Sequence, residues 1–185
     1  GHNPMTIEGK KTVALEIFRQ LGSGVPDCVF VPTGDGVILS GVYKGFEDLV
    51  SLGIADRIPT VVAVQAEGSQ AITRALESGG FTDPVSSATL ADSISVDVPA
   101  AGFFAVDRLR RLGGRAVTVS DEAILSAQTE LASGSGLFAE PTAAAAWAGF
   151  RAMEAEIPRD AAVVVLVTGN GLKDVESAKK GVGIR

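Results

Sequence analysis

The chain is 185 residues long, 46% hydrophobic and 21% charged, with a formal net charge of −6: ordinary globular composition, and enough length for one domain with a real core. The acidic balance and the lack of any basic run argue against a nucleic-acid backbone or an anionic membrane as partner, and neither a membrane-length apolar run nor a signal peptide is expected. One cysteine, Cys28, and one histidine, His2 near the start, leave no disulfide, no zinc cluster and no Ser-His-Asp triad, so any chemistry is expected from a cofactor in a reducing, cytoplasmic setting.

Residues 11–20, KTVALEIFRQ, place Val13 and Ile17 at helical spacing, and Gly22 follows as a stop. DCVFVPTG (27–34) predicts a buried strand, with Cys28 a small hydrophobe rather than a nucleophile. The pattern turns helical over 37–52, up to Gly53. TVVAVQAEG (60–68) predicts a second buried strand, and Ser69 is placed to cap a helix reaching Glu77. Residues 79–99 read as loop, 101–112 as a helix closed by Gly113 and Gly114, and RAVTVS (115–120) as a third strand. Ser120, Asp121 and Glu122 open a helix to about Ala132, the acidic pair suiting its N-terminus. An alanine-rich helix is expected over 142–156, with Trp147 in the core. A last strand over 161–167 precedes a short helix that begins at Asp174. Strands alternate with helices, and the strands are continuous apolar runs rather than period-2 patterns. That predicts an α/β fold, a doubly wound parallel sheet with helices on both faces.

Ligands of open α/β sheets sit at the carboxyl ends of strands, and three such ends here combine glycine with small polar residues. PTGDG (32–36) opens a helix, so its amides and the helix N-terminus suit a phosphate; a tight turn needing positive φ at Gly34 or Gly36 explains the same glycines. It is neither a Walker A run nor a full GxGxxG. QAEGS (65–69) offers Glu67 to a ribose or an amine, or to solvent. VTGNGLKD (167–174) presents Thr168, which either caps the turn or meets a ligand ring nitrogen. Glu140-Pro141 is a helix start signal.

In family order, NPMTIEGKKTVALEI (3–17), VPTGDGVILSGVYKGF (31–46), SDEAILSAQTELASGSGLFAEPTAAAA (120–146) and LVTGNGLKD (166–174) resemble the C-terminal part of threonine synthase and its relatives. These are the fold-type II pyridoxal-phosphate enzymes, whose large domain is tryptophan synthase β-like. The resemblance implies pyridoxal 5'-phosphate as cofactor. It implies a phosphate cradle of backbone amides at Gly34, Asp35, Gly36, Val37 and Ile38, and a hydrogen bond from Thr168 to the pyridine nitrogen. It also implies that residues 1–185 are the C-terminal part of the large domain. The Schiff-base lysine segment and most of the small domain would lie upstream, no catalytic residue would stand in this chain, and Lys173 would be non-catalytic.

The reaction implied is O-phosphohomoserine plus water to threonine plus phosphate, on an amino-acid substrate. The chain would form a homodimer or associate with its missing N-terminal part. Family members resembling this one tend to carry an arginine for the substrate phosphate at the position of Thr6. The alternatives are a β-eliminating or β-replacing enzyme acting on serine- or threonine-like substrates, and a non-catalytic truncated paralogue that binds a phosphate ligand or a partner chain.

Overall fold

The computed structural model describes residues 3–183, so His2 lies outside them. Two helices precede the first strand. α1 (Pro4–Lys10) starts on Asn3, whose Oδ1 accepts from the Met5 amide at 2.9 Å, with Pro4 at the first helical position. α2 (Thr12–Gln20) follows. The hydrophobic spacing of the sequence predicts only the second of these. The first is announced instead by its Asn-Pro start.

β1 (Cys28–Pro32), β2 (Thr60–Ala66), β3 (Arg115–Val119) and β4 (Val163–Val165) form one parallel sheet in the order β3-β2-β1-β4. Phe30 pairs with Val62 on one side and Val165 on the other. Side chains alternate between the faces. Val29, Val31, Val61 and Ala63 are buried beneath α2, α3 (Val37–Ser51), α4 (Ala71–Ser78) and α5 (Gly102–Arg111). Phe30, Val62, Val64 and Ala66 are buried on the other face beneath α6 (Asp121–Ser135) and α7 (Pro141–Met153). Each large side chain so buried contributes roughly 1.5–3 kcal/mol. The doubly wound expectation therefore holds, and the reason is visible in the strands: β1 and β2 are apolar at consecutive positions because both their faces are covered.

The outer strands differ. β4 is half-buried along its length, and only Val163–Val165 of the expected 161–167 pair with β1, extended by Leu166 N–H donating to Phe30 O at 3.0 Å. A strand with a neighbour on one side only cannot be buried as β1 is. Trp147 is also half-buried rather than in the core; its Nε1 donates to Glu130 Oε2 at 2.9 Å on the rim of α7.

Helix starts follow local chemistry at three of four predicted places, Pro141 taking the first helical position of α7 after Glu140. Ser120 Oγ accepts from the Ala123 amide at 3.2 Å to open α6. Asp174 opens α8 (Val175–Gly181), and the hydroxyl and amide of Ser177 hold its carboxyl below the usual range. Ser69 does not cap α4. Gln70 occupies that position without a side-chain bond, while buried Ser69 Oγ donates to Ile94 O at 2.9 Å and accepts from Val96 N at 3.0 Å. A non-local pair of backbone groups has taken the hydroxyl that the adjacent helix end would use, tying the loop after α4 to the end of β2.

Candidate functional site

The chain reverses its winding between β1 and β4. β1 leads into α3 on one face; β4 leads on to α8, which packs against α6 on the other. Such a reversal parts the two connections and leaves a crevice outside the carboxyl ends of the strands. A cavity of about 150 Å³ lies there, lined by residues 32–36, Ile38 and Leu39 from the β1 side, Thr168 from the β4 side, Glu140 and Thr142 from the start of α7, and Ser93 and Ile94 from a short 3-10 turn (Asp92–Ile94).

The β1 side is a run of free amides. Gly36, the residue before α3, sits at φ 83°, a backbone conformation that only glycine adopts at little cost. No acceptor among the described residues receives the N–H of Gly34, Asp35, Gly36 or Ile38. Unpaired amides at the start of a 15-residue helix suit an anion, because each donor is unsatisfied and the helix dipole adds positive potential. Asp35 takes one donor for itself: its Oδ1 accepts from Val37 N at 2.9 Å. Val37 is otherwise buried and does not line the cavity.

The amide run is anchored from the neighbouring strand by a side chain that the sequence pattern does not single out. Gln65, 1% exposed at the end of β2, donates through Nε2 to Thr33 O at 3.1 Å, and its Oε1 accepts from Thr73 N at 2.8 Å and Thr73 Oγ at 3.1 Å. Thr33 Oγ in turn donates to Val31 O at 2.8 Å. A buried glutamine with its amide paired at both ends fixes where the loop leaves the sheet. Gln65 is visible in the sequence only as a polar residue interrupting an apolar run. Glu67, two residues on, is exposed and lines a separate shallow depression, away from this cavity.

The β4 side presents Thr168. Its hydroxyl has no hydrogen-bond partner among the described residues, and the turn beyond it is capped by Asn170, whose Oδ1 accepts from Leu172 N at 2.9 Å. The capping alternative for Thr168 therefore finds no hydrogen bond to rest on. Gly169 lets the carboxylate of Glu140 lie close against the backbone; a Cβ there would displace it. That carboxylate is nearly buried, and Lys173 reaches it with Nζ at 2.9 Å from Oε2, which raises the lysine pKa. Glu140 and Lys173 are far apart in sequence and share no local pattern, so only the fold reveals the pair. Thr6 is exposed on α1 and lines no part of the cavity.

A phosphate with a small polar aromatic ring fits this donor set: amides for the anion at one end, a free neutral hydroxyl at the other. Among the described residues no helix is long and apolar enough to cross a membrane.

Comparison with known proteins agrees with that chemistry. The family model described as "Pyridoxal-phosphate dependent enzyme" matches residues 1–169. The chain is 39% identical over 179 residues to a threonine synthase of Methanosarcina acetivorans, covering 95% of this chain and 44% of that protein. It is 37% identical over 183 residues to one of Methanocaldococcus jannaschii, again covering 95% and 44%. The chain thus spans about half the length of the curated relatives it matches. Among solved structures, a threonine deaminase from T.th. superposes with a TM-score of 0.74 at 27% identity, covering 90% of this chain and 59% of that one. A threonine synthase of Brucella melitensis with bound cofactor shares the fold, with a TM-score of 0.75 over 96% of this chain and 43% of its own, at 17% identity.

Proposed function

The chain belongs to the pyridoxal-phosphate dependent enzymes, and we propose that it is the C-terminal part of a threonine synthase-like lyase converting O-phosphohomoserine and water to threonine and phosphate. The observation that carries this reading is the meeting, in one cavity, of the free amides of Gly34, Asp35, Gly36 and Ile38 with the unpartnered hydroxyl of Thr168. The threonine synthases among the relatives supply the reaction class.

In this reading the amides of Gly34, Asp35, Gly36 and Ile38 hold the cofactor phosphate, and Gln65 holds the loop that presents them. Asp35 competes for the amide of Val37 and so sets an upper limit on how many donors the phosphate receives. Thr168 meets the ring nitrogen with a neutral hydroxyl, which orients the ring without forcing a proton onto it. When bound, the cofactor serves as the electron sink for the substrate carbanion. In this reading the lysine that moves protons belongs to the upstream part, and the 185-residue chain by itself is expected to be inactive. Its association with that part, or with a second copy, completes the site.

The test supplies the protein isolated from its source with O-phosphohomoserine and, separately, with L-threonine and L-serine. Phosphate release matched by threonine supports the reading. Ammonia from threonine or serine instead favours a β-eliminating enzyme, the alternative to which the threonine deaminase superposition lends weight. Turnover of none of the three, with no cofactor bound, overturns both and leaves a non-catalytic paralogue. The chain alone, reduced with borohydride in the presence of pyridoxal 5'-phosphate, is expected to label no lysine stoichiometrically. Stoichiometric labelling of Lys173 would overturn the assignment of the reactive lysine to the upstream part.

A further inference from the structure

Lys173 sits where three parts of the cavity wall come together. Its Nζ lies 2.9 Å from Glu140 Oε2 and donates to Ser93 Oγ at 2.6 Å. Glu140 stands at the start of α7 and Ser93 in the 3-10 turn that closes the cavity against Gly34. The two ends of the ion pair differ sharply: the carboxylate side chain is 10% exposed, the lysine 58%. Glu140 forms no cap bond at its helix start, and its other oxygen packs against Gly169, the neighbour of Thr168. A carboxylate this deep in a cavity perturbs whatever shares that cavity unless a cation balances it. The charged side chains among the lining residues are Asp35 and Glu140, both acidic. Asp35 is engaged with Val37 N–H; Asp92 and Asp174 also bear on the lysine from its own side.

We propose that Lys173 is a positioning residue that keeps Glu140 charge-balanced beside Thr168 and, through Ser93, straps the Asp92–Ile94 turn to α7, so that the Thr168 end of the cavity presents a neutral wall to the ligand ring. This rests on the cofactor reading above. Its consequence is electronic. A balanced Glu140 leaves the ring nitrogen beside Thr168 free of a proton, whereas an unbalanced one, within the range of a neighbouring charge, stabilises the protonated ring.

The test uses pyridoxine 5'-phosphate, which carries the ring and the phosphate but no aldehyde that could react with a lysine. Its bound absorbance is followed against pH in the full-length protein stripped of cofactor, with the wild-type residues and as Lys173→Met, Lys173→Met with Glu140→Gln, and Ser93→Ala. The ring-protonation midpoint in Lys173→Met is expected to rise by about 1 pH unit. Adding Glu140→Gln should return it to the wild-type value, because the unbalanced charge is gone. Ser93→Ala should leave the midpoint in place and only weaken binding. A purely structural role for Lys173 would lower affinity in both lysine variants with one common midpoint, and that result overturns the proposal. Failure of the full-length protein to bind the probe overturns the cofactor reading and this inference together; binding with an unmoved midpoint overturns the inference alone.

Discussion

β1 and β2 end in loops that look alike on paper. Both are buried parallel strands, and both run out into glycine and small polar residues, PTGDG after β1 and QAEGS after β2. Their fates are opposite. The first keeps its amides unpaired and faces a cavity. The second closes on itself: Ser69 N donates to Ala66 O at 2.8 Å, Ser69 Oγ bonds the 94–96 backbone, and Glu67 is exposed to solvent. The difference lies in the strand order. β1 has β4 on its other side, and winding reverses between them; β2 lies between β1 and β3, where winding continues in one direction. A glycine-rich strand end becomes a site when topology opens a crevice beside it.

The largest test of this contrast is Gly36→Val. The left-handed backbone at Gly36 strains any β-branched residue, and a Cβ there would already lie 3.1 Å from Ala105 Cβ and 3.2 Å from Ile72 Cδ1. Destabilisation of about 2–4 kcal/mol is expected in urea unfolding, with loss of phosphate-ligand binding.

Gln65→Leu asks whether the β2 end serves the β1 end. It leaves Thr33 O and the Thr73 donors without partners in a buried place, which costs about 1–3 kcal/mol. Affinity for pyridoxine 5'-phosphate should fall more than this loss of global stability explains; equal affinity in the variant would show that the two loops are independent.

Thr168→Ala removes a hydroxyl that bonds nothing among the described residues. Unfolding should therefore change little, while affinity for the ring-bearing ligand drops by up to about tenfold, the equivalent of one net hydrogen bond of roughly 0.5–1.5 kcal/mol. Isothermal titration beside an unfolding curve separates the two. A clear stability loss with unchanged affinity would restore the turn-capping role.

Glu67→Ala is the smallest change: within about 0.5 kcal/mol in stability and none in ligand affinity, by the same pair of measurements. A loss of affinity here would erase the distinction between the two strand ends.

The fold is largely legible in the sequence because its evidence is local or periodic. Apolar runs at 28–32 and 60–66 announce strands covered on both faces, and Ser120 and Asp174 announce helix starts within three residues of themselves. β4 comes out too long in a sequence reading because an apolar run carries no record of how many neighbours it will have. α1 escapes a search by hydrophobic spacing, since only its Asn3-Pro4 start marks it. The site is half legible. Residues 34–38 and Thr168 can each be singled out, since glycines and hydroxyls at strand ends are conspicuous. Gln65, Ser93 and the Glu140–Lys173 pair cannot, because their partners are set by the crossing of elements far apart in sequence.

α7 has a consequence of its own. Its surface buried against the sheet and α6 includes Ala143, Ala144, Ala145, Ala146 and Ala148, each at most 5% exposed, and Gly149, where a Cβ would press on the side chains of Val64 and Val117. Alanine has no rotamer to change, so this contact has no soft joints. Where Gly149 meets Val64 and Val117 the helix works as a rigid gauge block, with Phe150 set edge-on against Phe30 beside it, and that spacing sets how far Glu140 stands from the ends of β1 and β4. A single added methylene near the middle of the helix has nowhere to fold away and is passed along the rod to its tip, so the dimensions of the cavity are held by residues that never touch its contents.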